Sequence, residues 1–339
     1  MSSATIGLSM IVKNEADIII STLDKVIGLC DMFSISDTGS TDNTVSIIRD
    51  YLDEKRKTMD ISYILTEDKW VNFSHNRNIA LKRLIKKVNF ILLLDADDHF
   101  FISLPFKKLL TPGKNVCYSI LCKHKNTPIQ STKRRLIPGH MDWYYEYVVH
   151  EQLRCKSGYT SRPMNQKNYI LYTRPTTHEK NEGYVKLMKD AIEKEPNVFN
   201  YRYHYMLHLN NTKLYDLALE QVLYMKKNVA LTAHQRLLVQ YKHMMCLFRL
   251  NKPFEELKVE IDALVSLVKG KHTLLEPIYC GVIILVKEKR YKDAYDFGLP
   301  YYQKTYKANI CGFDYFLDLY HGKFDSYFKQ NVIERLNDV

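Results

Sequence analysis

The strongest constraint on this chain is the order of its first hundred residues, where strand-like and helix-like segments alternate without a break. "TIGLSMIV" is apolar and β-branched, as a buried strand is. "ADIIISTLDKVIGLC" carries its apolar residues at helical spacing, and "MFSISD" is a short strand that runs into "TGSTDNT". "NTVSIIRDYLDEKR" is an amphipathic helix, "DISYILTE" a strand, "NFSHNRNIALKRLIKK" a helix and "NFILLLD" a strand. Such alternation predicts βαβ units: an α/β fold with a mostly parallel sheet and helices on both faces. Ligands of such sheets bind beyond the carboxyl ends of the strands. Two unusual loops stand at those ends, one after Asp37 and one at Asp95.

After Phe101 the alternation stops. "NVCYSILCKH", "STKRRLIP", "YEYVVHEQLRC" and "YILYTRP" read as strands in mixed or antiparallel pairing, with turns at Pro112-Gly113, Pro138-Gly139 and Ser157-Gly158. From about Glu182 the chain is helical to its end. Three units each place a polar turn before an aromatic residue and an amphipathic helix; the aromatics are Tyr215, Phe254 and Tyr291, 39 and 37 residues apart. That period resembles degenerate tetratricopeptide-type repeats, with an irregular helical bundle as the alternative. The 339 residues therefore divide into an expected α/β domain, 1–180, and an expected all-α helical-repeat domain, 181–339.

A net charge of +11 raises the question of nucleic acid. The excess is spread in short pairs such as Lys86-Lys87, Arg134-Arg135 and Lys226-Lys227, with no zinc-knuckle spacing and no RNP-type aromatic motif. This argues against nucleic acid and is compatible with a phosphate-bearing substrate. The seven cysteines are odd in number and include no C-x-x-C pair, as expected in a reducing compartment. The first residues lack the basic and apolar regions of a signal peptide, and no stretch of about 18 uncharged apolar residues occurs. The expectation is a soluble, cytoplasmic protein.

Within "FILLLDADDHF" a buried strand ends in Asp95, Asp97 and Asp98. Like charges so close call for a compensating cation, and carboxylate oxygens suit Mg2+ and Mn2+. A solvated turn is the plainer alternative. In "SISDTGSTDNT", Gly39 permits a tight turn, and Thr41 or Asp42 can cap the helix that follows. Asp37, at the strand end, has no evident capping role and can accept from a base or a ribose hydroxyl. In "WVNFSHNRNIAL", Trp70 and Phe73 are expected in the core. Arg77 is either exposed or a clamp for a diphosphate.

"LSMIVKNEAD", "ISDTGSTDNT", "WVNFSHNRNIAL", "FILLLDADD" and "VHEQL" stand in the order and approximate spacing of family 2 glycosyltransferases. The chain resembles a subgroup in which tetratricopeptide-like helices follow the catalytic domain. The resemblance covers residues 1–178 and continues beyond them only in general character. It implies a GT-A fold, a nucleotide-diphosphate sugar as donor (UDP in the first place), and Mn2+ or Mg2+. Val12, Lys13, Asn14 and Glu15 would then line the nucleoside pocket, and Asp37 would contact base or ribose. Asp95, Ala96 and Asp97 form the D-x-D motif, with Asp95 nearer the ribose and Asp97 on the metal. Thr38 replaces the acid that often follows Asp37 in the family.

An inverting transfer needs a general base for the acceptor hydroxyl. The resemblance assigns it to Glu151, with His150 orienting it or touching phosphate, and Asp142 is the rival base. Trp143, Tyr144 and Tyr145 are an acceptor platform or simply core and surface aromatics. His178 would be an additional metal ligand. The acceptor is a glycan, a protein or a lipid-linked sugar, and the helical half would recruit it or form a homodimer. Two other readings stay open. A nucleotidyltransferase would need a Gly-rich basic loop where "VKNEADI" stands. A non-catalytic helical-repeat scaffold with a relic nucleotide-binding domain would need no intact Asp95, Asp97 and Glu151.

Overall fold

A computed structural model of the protein describes residues 4–102, 106–124, 130–165, 167–172, 182–268, 275–302 and 325–337. The chain divides into two compact units, residues 1–187 and 188–339.

The first unit is built on a mixed, mostly parallel sheet. Its elements begin β1 (Ile6–Val12), α1 (Ile19–Val26), β2 (Met32–Asp37), α2 (Thr44–Lys55), β3 (Ser62–Glu67), α3 (Phe73–Lys82) and β4 (Phe90–Leu93). They continue with β5 (Asp98–Phe101), β6 (Val116–His124), β7 (Gln130–Pro138), β8 (Trp143–Glu146), β9 (Gln152–Cys155), β10 (Thr160–Pro163) and β11 (Tyr169–Tyr172). The strand order is β3-β2-β1-β4-β7-β6-β11-β5, with β10 also on β6, while β8 and β9 form a separate pair. β1, β2, β3 and β4 are mutually parallel. The later strands are mixed, as expected: β7 is antiparallel to β4 and β6, but β10 and β11 run parallel to β6.

Helices cover both faces because the strands alternate. Ile6, Leu8, Met10 and Val12 join Phe33, Ile35, Phe90 and Leu92 in one core, closed by Ile19, Leu23 and Val26 of α1 and by Ile48 and Leu52 of α2. Ile91, Leu93, Cys117 and Ile137 face the other way, against Leu81 of α3 and Leu84 and Val88 after it. Gly7 lies on this second face, where a Cβ would stand 2.8 Å from Leu84. The mostly parallel α/β architecture followed by helices is thus the one expected.

Two segments differ from expectation. "YEYVVHEQLRC" is not one strand. It breaks after Glu146 into a loop in which Tyr147 (φ 72°) and His150 (φ 48°) are left-handed, and strand resumes at Gln152. Trp70 and Phe73 are half-buried rather than in a core, with ring centroids 4.9 Å apart and edge to face.

The second unit holds most of α4 (Glu182–Lys194), then α5 (Phe199–Asn211), α6 (Tyr215–Asn228), α7 (Ala233–Arg249), α8 (Phe254–Val268), α9 (Leu275–Lys287) and α10 (Tyr291–Gly298). Tyr215, Phe254 and Tyr291 each open a helix. The turn before each is the same. A left-handed residue ends the preceding helix, Lys213 (φ 62°), Asn251 (φ 51°) and Lys289 (φ 56°). Two reversed backbone bonds close it in every case, for example Leu214 N–H to Leu209 C=O at 2.8 Å with Lys213 N–H to Asn210 C=O at 3.1 Å. These are Schellman closures, which satisfy orphan carbonyls at helix ends. Among the described residues, no helix is long and apolar enough to cross a membrane.

A buried polar cluster joins α6, α7 and α8. Glu260 accepts from Lys226 Nζ at 3.0 Å and His243 Nδ1 at 2.7 Å, and also from Gln240. Burial opposes its charge, but the bonds from His243, Lys226 and Gln240 outweigh burial and hold the carboxyl down at about 2. A carboxyl held below its unfolded value contributes stability above that value and loses it as pH falls. Glu260→Gln should therefore destabilise the chain at pH 7, with the deficit shrinking as pH drops below about 4.5. Urea unfolding of both proteins from pH 7 to pH 3, followed by circular dichroism, measures it. A deficit that does not change with pH would contradict the assignment.

Candidate active site

The site grows from three strand ends on the carboxyl edge of the parallel strands. At the end of β1, the Val12 carbonyl accepts from Thr38 N–H at 2.9 Å and Thr38 Oγ1 at 3.0 Å. Asn14 is left-handed (φ 53°), and its Oδ1 accepts from Thr41 N–H at 2.7 Å. Its own N–H donates to Ser40 Oγ at 2.9 Å, while Glu15 N–H donates to Thr44 Oγ1 at 2.8 Å. The loops after β1 and β2 are thereby stitched together, and Lys13, at the start of the first of them, is exposed.

Asp37 caps no helix but has a structural task that the sequence reading did not give it, closing the turn that follows it. Its carboxylate, buried at 1% exposure, accepts from Gly39 N–H at 3.0 Å and Ser40 N–H at 2.9 Å, and from Ser40 Oγ. Gly39 takes φ 100°, which a side chain would strain. Asp42 bonds at the start of the helix, as expected, accepting from the N–H of Thr44, the first residue of α2, at 3.0 Å.

The acidic turn follows β4. Asp98 N–H donates to the Asp95 carbonyl at 3.1 Å, and Asp98 Oδ2 accepts from Asp95 N–H at 2.9 Å. Thr22 of α1 ties the turn from below, donating to the Ala96 carbonyl at 2.6 Å. Asp98, 1% exposed, therefore shapes the turn and opens β5, while Asp95 and Asp97 stay partly exposed.

Two guanidiniums balance these acids. Arg77 of α3 reaches Asp95 Oδ1 at 2.7 Å and Glu151 Oε1 at 2.6 Å. Arg77 is thus not an exposed helix residue; its side chain is 17% exposed. Arg135 reaches Asp98 Oδ2 at 3.1 Å and Asp95 Oδ2 at 3.5 Å. It also donates to Tyr172 Oη at 2.9 Å and the Leu93 carbonyl at 3.3 Å. Burial works against the charge of Asp95, but Arg77 and Arg135 outweigh it and hold that carboxyl well below the usual carboxylate range. Burial pushes Asp98 up to about 6 against the pull of Arg135.

Sequence reasoning brought Asp95, Arg77 and Glu151 to one place, and the structure joins them by direct ion pairs. It missed Arg135, which reads as half of a basic pair. The register explains the miss. Ser119 pairs with Arg134 and Tyr118 with Leu136, so Arg135 is the extra residue of a β-bulge. Arg134 lies 5.0 Å over Tyr159, while Arg135 is aimed at the acids. Asn78 was also missed. Its amide accepts from Tyr145 N–H at 2.7 Å and donates to the Tyr145 carbonyl at 2.9 Å, so α3 carries β8 with it. Trp143 is core, 2% exposed, with its indole N–H on the Pro138 carbonyl at 3.0 Å, which removes it from an acceptor platform. Asp142 is exposed at the turn before β8. His150 is exposed and stands edge to face with Tyr184 at 5.5 Å. His178 lies outside the described residues.

For a hard cation the fit rests on Asp97. Among the described residues no ion pair or hydrogen bond engages its carboxylate, and no group of three or more His, Cys, Asp or Glu forms a complete ligand set. One or two carboxylates with phosphate oxygens and water is the ordinary shell of Mg2+ at a phosphate. Asp95 would have to give up part of its guanidinium contacts to join such a shell.

Residues 8–154 match the family model described as "Glycosyl transferase family 2". No curated protein matches the chain. Among solved structures, GalNAc-T7 with UDP, GalNAc and Mn2+ is similar at 14% identity and a TM-score of 0.29, over 48% of this chain and 30% of that one. S. aureus TarS 1–349 is similar at 12% identity and a TM-score of 0.37, over 96% of this chain and 91% of that one.

Removing Arg135 takes away the cation that opposes the burial of Asp98, so the carboxyl must stay charged without a partner or take up a proton. Arg135→Met should cost about 3–5 kcal/mol of stability, and adding Asp98→Asn should restore most of it. Chemical denaturation of the single and double variants tests this. If the second change restores nothing, the pair is not what holds Arg135 in place.

Proposed function

We propose, from the premise that residues 8–154 belong to glycosyl transferase family 2 and that the chain is accordingly a glycosyltransferase, that it is a metal-dependent, inverting enzyme using a nucleotide-diphosphate sugar, UDP-linked in the first place. The observation that carries the reading is the pair of bonds from Arg77 to Asp95 and Glu151, which puts the acidic turn and a second carboxylate side by side.

In this reading Val12, Lys13, Asn14 and Glu15 border the nucleoside, with Asp37 holding the loop that faces it. Asp97, with Asp95 across Ala96, holds Mn2+ or Mg2+, and His178 is an additional ligand. When bound, the ion supplies Lewis-acid stabilisation of charge on the leaving diphosphate. Arg77 offers its planar fork to the phosphate oxygens, for which guanidinium geometry is suited. Glu151 takes the proton of the acceptor hydroxyl. That oxygen bonds to the anomeric carbon from the face opposite the diphosphate, and the bond from that carbon to the phosphate oxygen breaks with its electrons on the diphosphate. His150 positions Glu151 from the neighbouring residue. The acceptor is a glycan or a glycan-bearing molecule.

Glu151 is favoured over Asp142 because Glu151 is bonded into the acidic cluster, while Asp142 is exposed in a turn. The experiment uses the purified chain. A panel of nucleotide-sugars with and without Mn2+ should raise the melting temperature only with its donor, since ligand binding to the native state stabilises it by mass action. Asp97→Ala should abolish the metal-dependent part. Glu151→Gln should keep donor binding yet slow donor turnover by about 10²–10⁴-fold. If no nucleotide-sugar changes the melting temperature and Asp97→Ala behaves as the parent, the proposal fails.

A further inference from the structure

Arg77 is the point at which two requirements meet. Its Nε donates to Glu151 Oε1 at 2.6 Å and its Nη2 contacts Asp95 Oδ1 at 2.7 Å. We propose that Arg77 gates the base: without donor the guanidinium holds Glu151, and a nucleoside diphosphate arriving at the Asp95 turn competes with Glu151 for it. The carboxylate is released toward the acceptor only once the donor is seated. This inference rests on the nucleotide-sugar reading above and adds an order of events to it.

Four observations carry it. First, the Arg77 and Glu151 side chains are 17% and 16% exposed, so the pair is shielded from the water that makes surface ion pairs weak. Second, Glu151 Oε1 accepts the Nε bond, and a lone pair so engaged is not offered to an incoming hydroxyl. Among the described residues, Arg77 is the ion-pair partner of Glu151. Third, the two acids are not equally dependent on Arg77. Asp95 has Arg135 as a second cation, 3.5 Å away, so its charge stays balanced when Arg77 turns to another anion. Fourth, the two side chains stand on different supports. Arg77 rides on a helix whose Asn78 is locked to both backbone groups of Tyr145. Glu151 ends a loop with two left-handed residues, Tyr147 and His150. In the exchange the guanidinium stays beside the acidic turn, where Asp95 still holds it, and the Glu151 side chain gives way. A diphosphate is the stronger competitor for a planar fork, since it carries more charge and offers paired oxygens.

Competition for one group appears as a coupling free energy between sites. The experiment is a double-mutant cycle on nucleotide affinity, measured by calorimetry with UDP, GDP, CDP and dTDP in the presence of Mn2+. Glu151→Gln removes the competitor, so the preferred nucleotide should bind roughly five-fold tighter or better. In the Arg77→Gln background the same change should alter affinity less than about two-fold. A gain that persists without Arg77 would mean simple charge repulsion from Glu151, and no gain at all would mean no shared group; either result overturns the gate. Should Arg77→Gln fail to fold, the parent chain with carboxyl-labelled glutamate decides. The Glu151 carbon resonance, assigned by its loss in Glu151→Gln, should shift when the nucleotide is added, and an unmoved resonance overturns the gate. If no nucleotide binds the parent chain, the nucleotide-sugar reading falls and the gate with it. If a nucleotide binds but the cycle is flat, only the gate falls.

Discussion

The charge balance around Asp95 is the constraint on which the first unit depends. Asp95 and Asp98 face each other across a four-residue turn, with Asp98 almost wholly buried. Two acids at that distance in a poorly solvated place repel strongly, and each must find a cation. The answer comes from two distant parts of the chain. α3 delivers Arg77 and the bulge of β7 delivers Arg135. Around this arrangement the remaining parts take their places: β5 starts at Asp98, β11 presents Tyr172 to Arg135, and the loop between β8 and β9 brings Glu151 to Arg77. Asp95 and Asp98 are balanced in this way by groups of the chain itself, and an ion approaching Asp95 would have to replace partners that are already there.

Much of the first unit was legible because its signals are local. The alternation of buried strands with amphipathic helices predicts the parallel core, and "FILLL" ahead of three acids marks the strand end where they emerge. The placement of Arg77 beside the acids follows from helix α3 returning to the same edge. What could not be read is what depends on register. Arg135 sits in a run of basic residues whose ordinary alternation would put Arg134 and Leu136 on one face. The bulge changes that, and nothing local in "STKRRLIP" announces it. The two hydrogen bonds between Asn78 and Tyr145 are likewise a contact across 67 residues, with no periodic trace in the chain. The turn that Asp37 closes goes unread for the opposite reason. The partners of Asp37 are only two and three residues away, but a short polar turn of Asp, Gly and Ser serves structure and ligand with the same groups.

The split of "YEYVVHEQLRC" into two strands shows the converse. Its apolar and aromatic content reads as continuous strand, yet Tyr147 and His150 adopt left-handed backbone that few non-glycine residues take up. Such geometry is unfavourable by itself and is kept only where the surroundings impose it. Here the surroundings include the Phe73 N–H bond to the Val148 carbonyl at 3.2 Å, and the ion pair at Glu151. The loop is thus shaped by the group it carries.

The three Schellman turns of the helical unit lead to a different kind of consequence. Their left-handed residues, Lys213, Asn251 and Lys289, are each separated by 38 residues, a more regular interval than that of the aromatics that follow them. The same reversed bonds recur in each, Leu214 to Leu209, Lys252 to Leu247 and Arg290 to Leu285. One turn geometry thus serves with different side chains around it, so a hairpin can exchange its surface residues without losing the closure that ends its first helix.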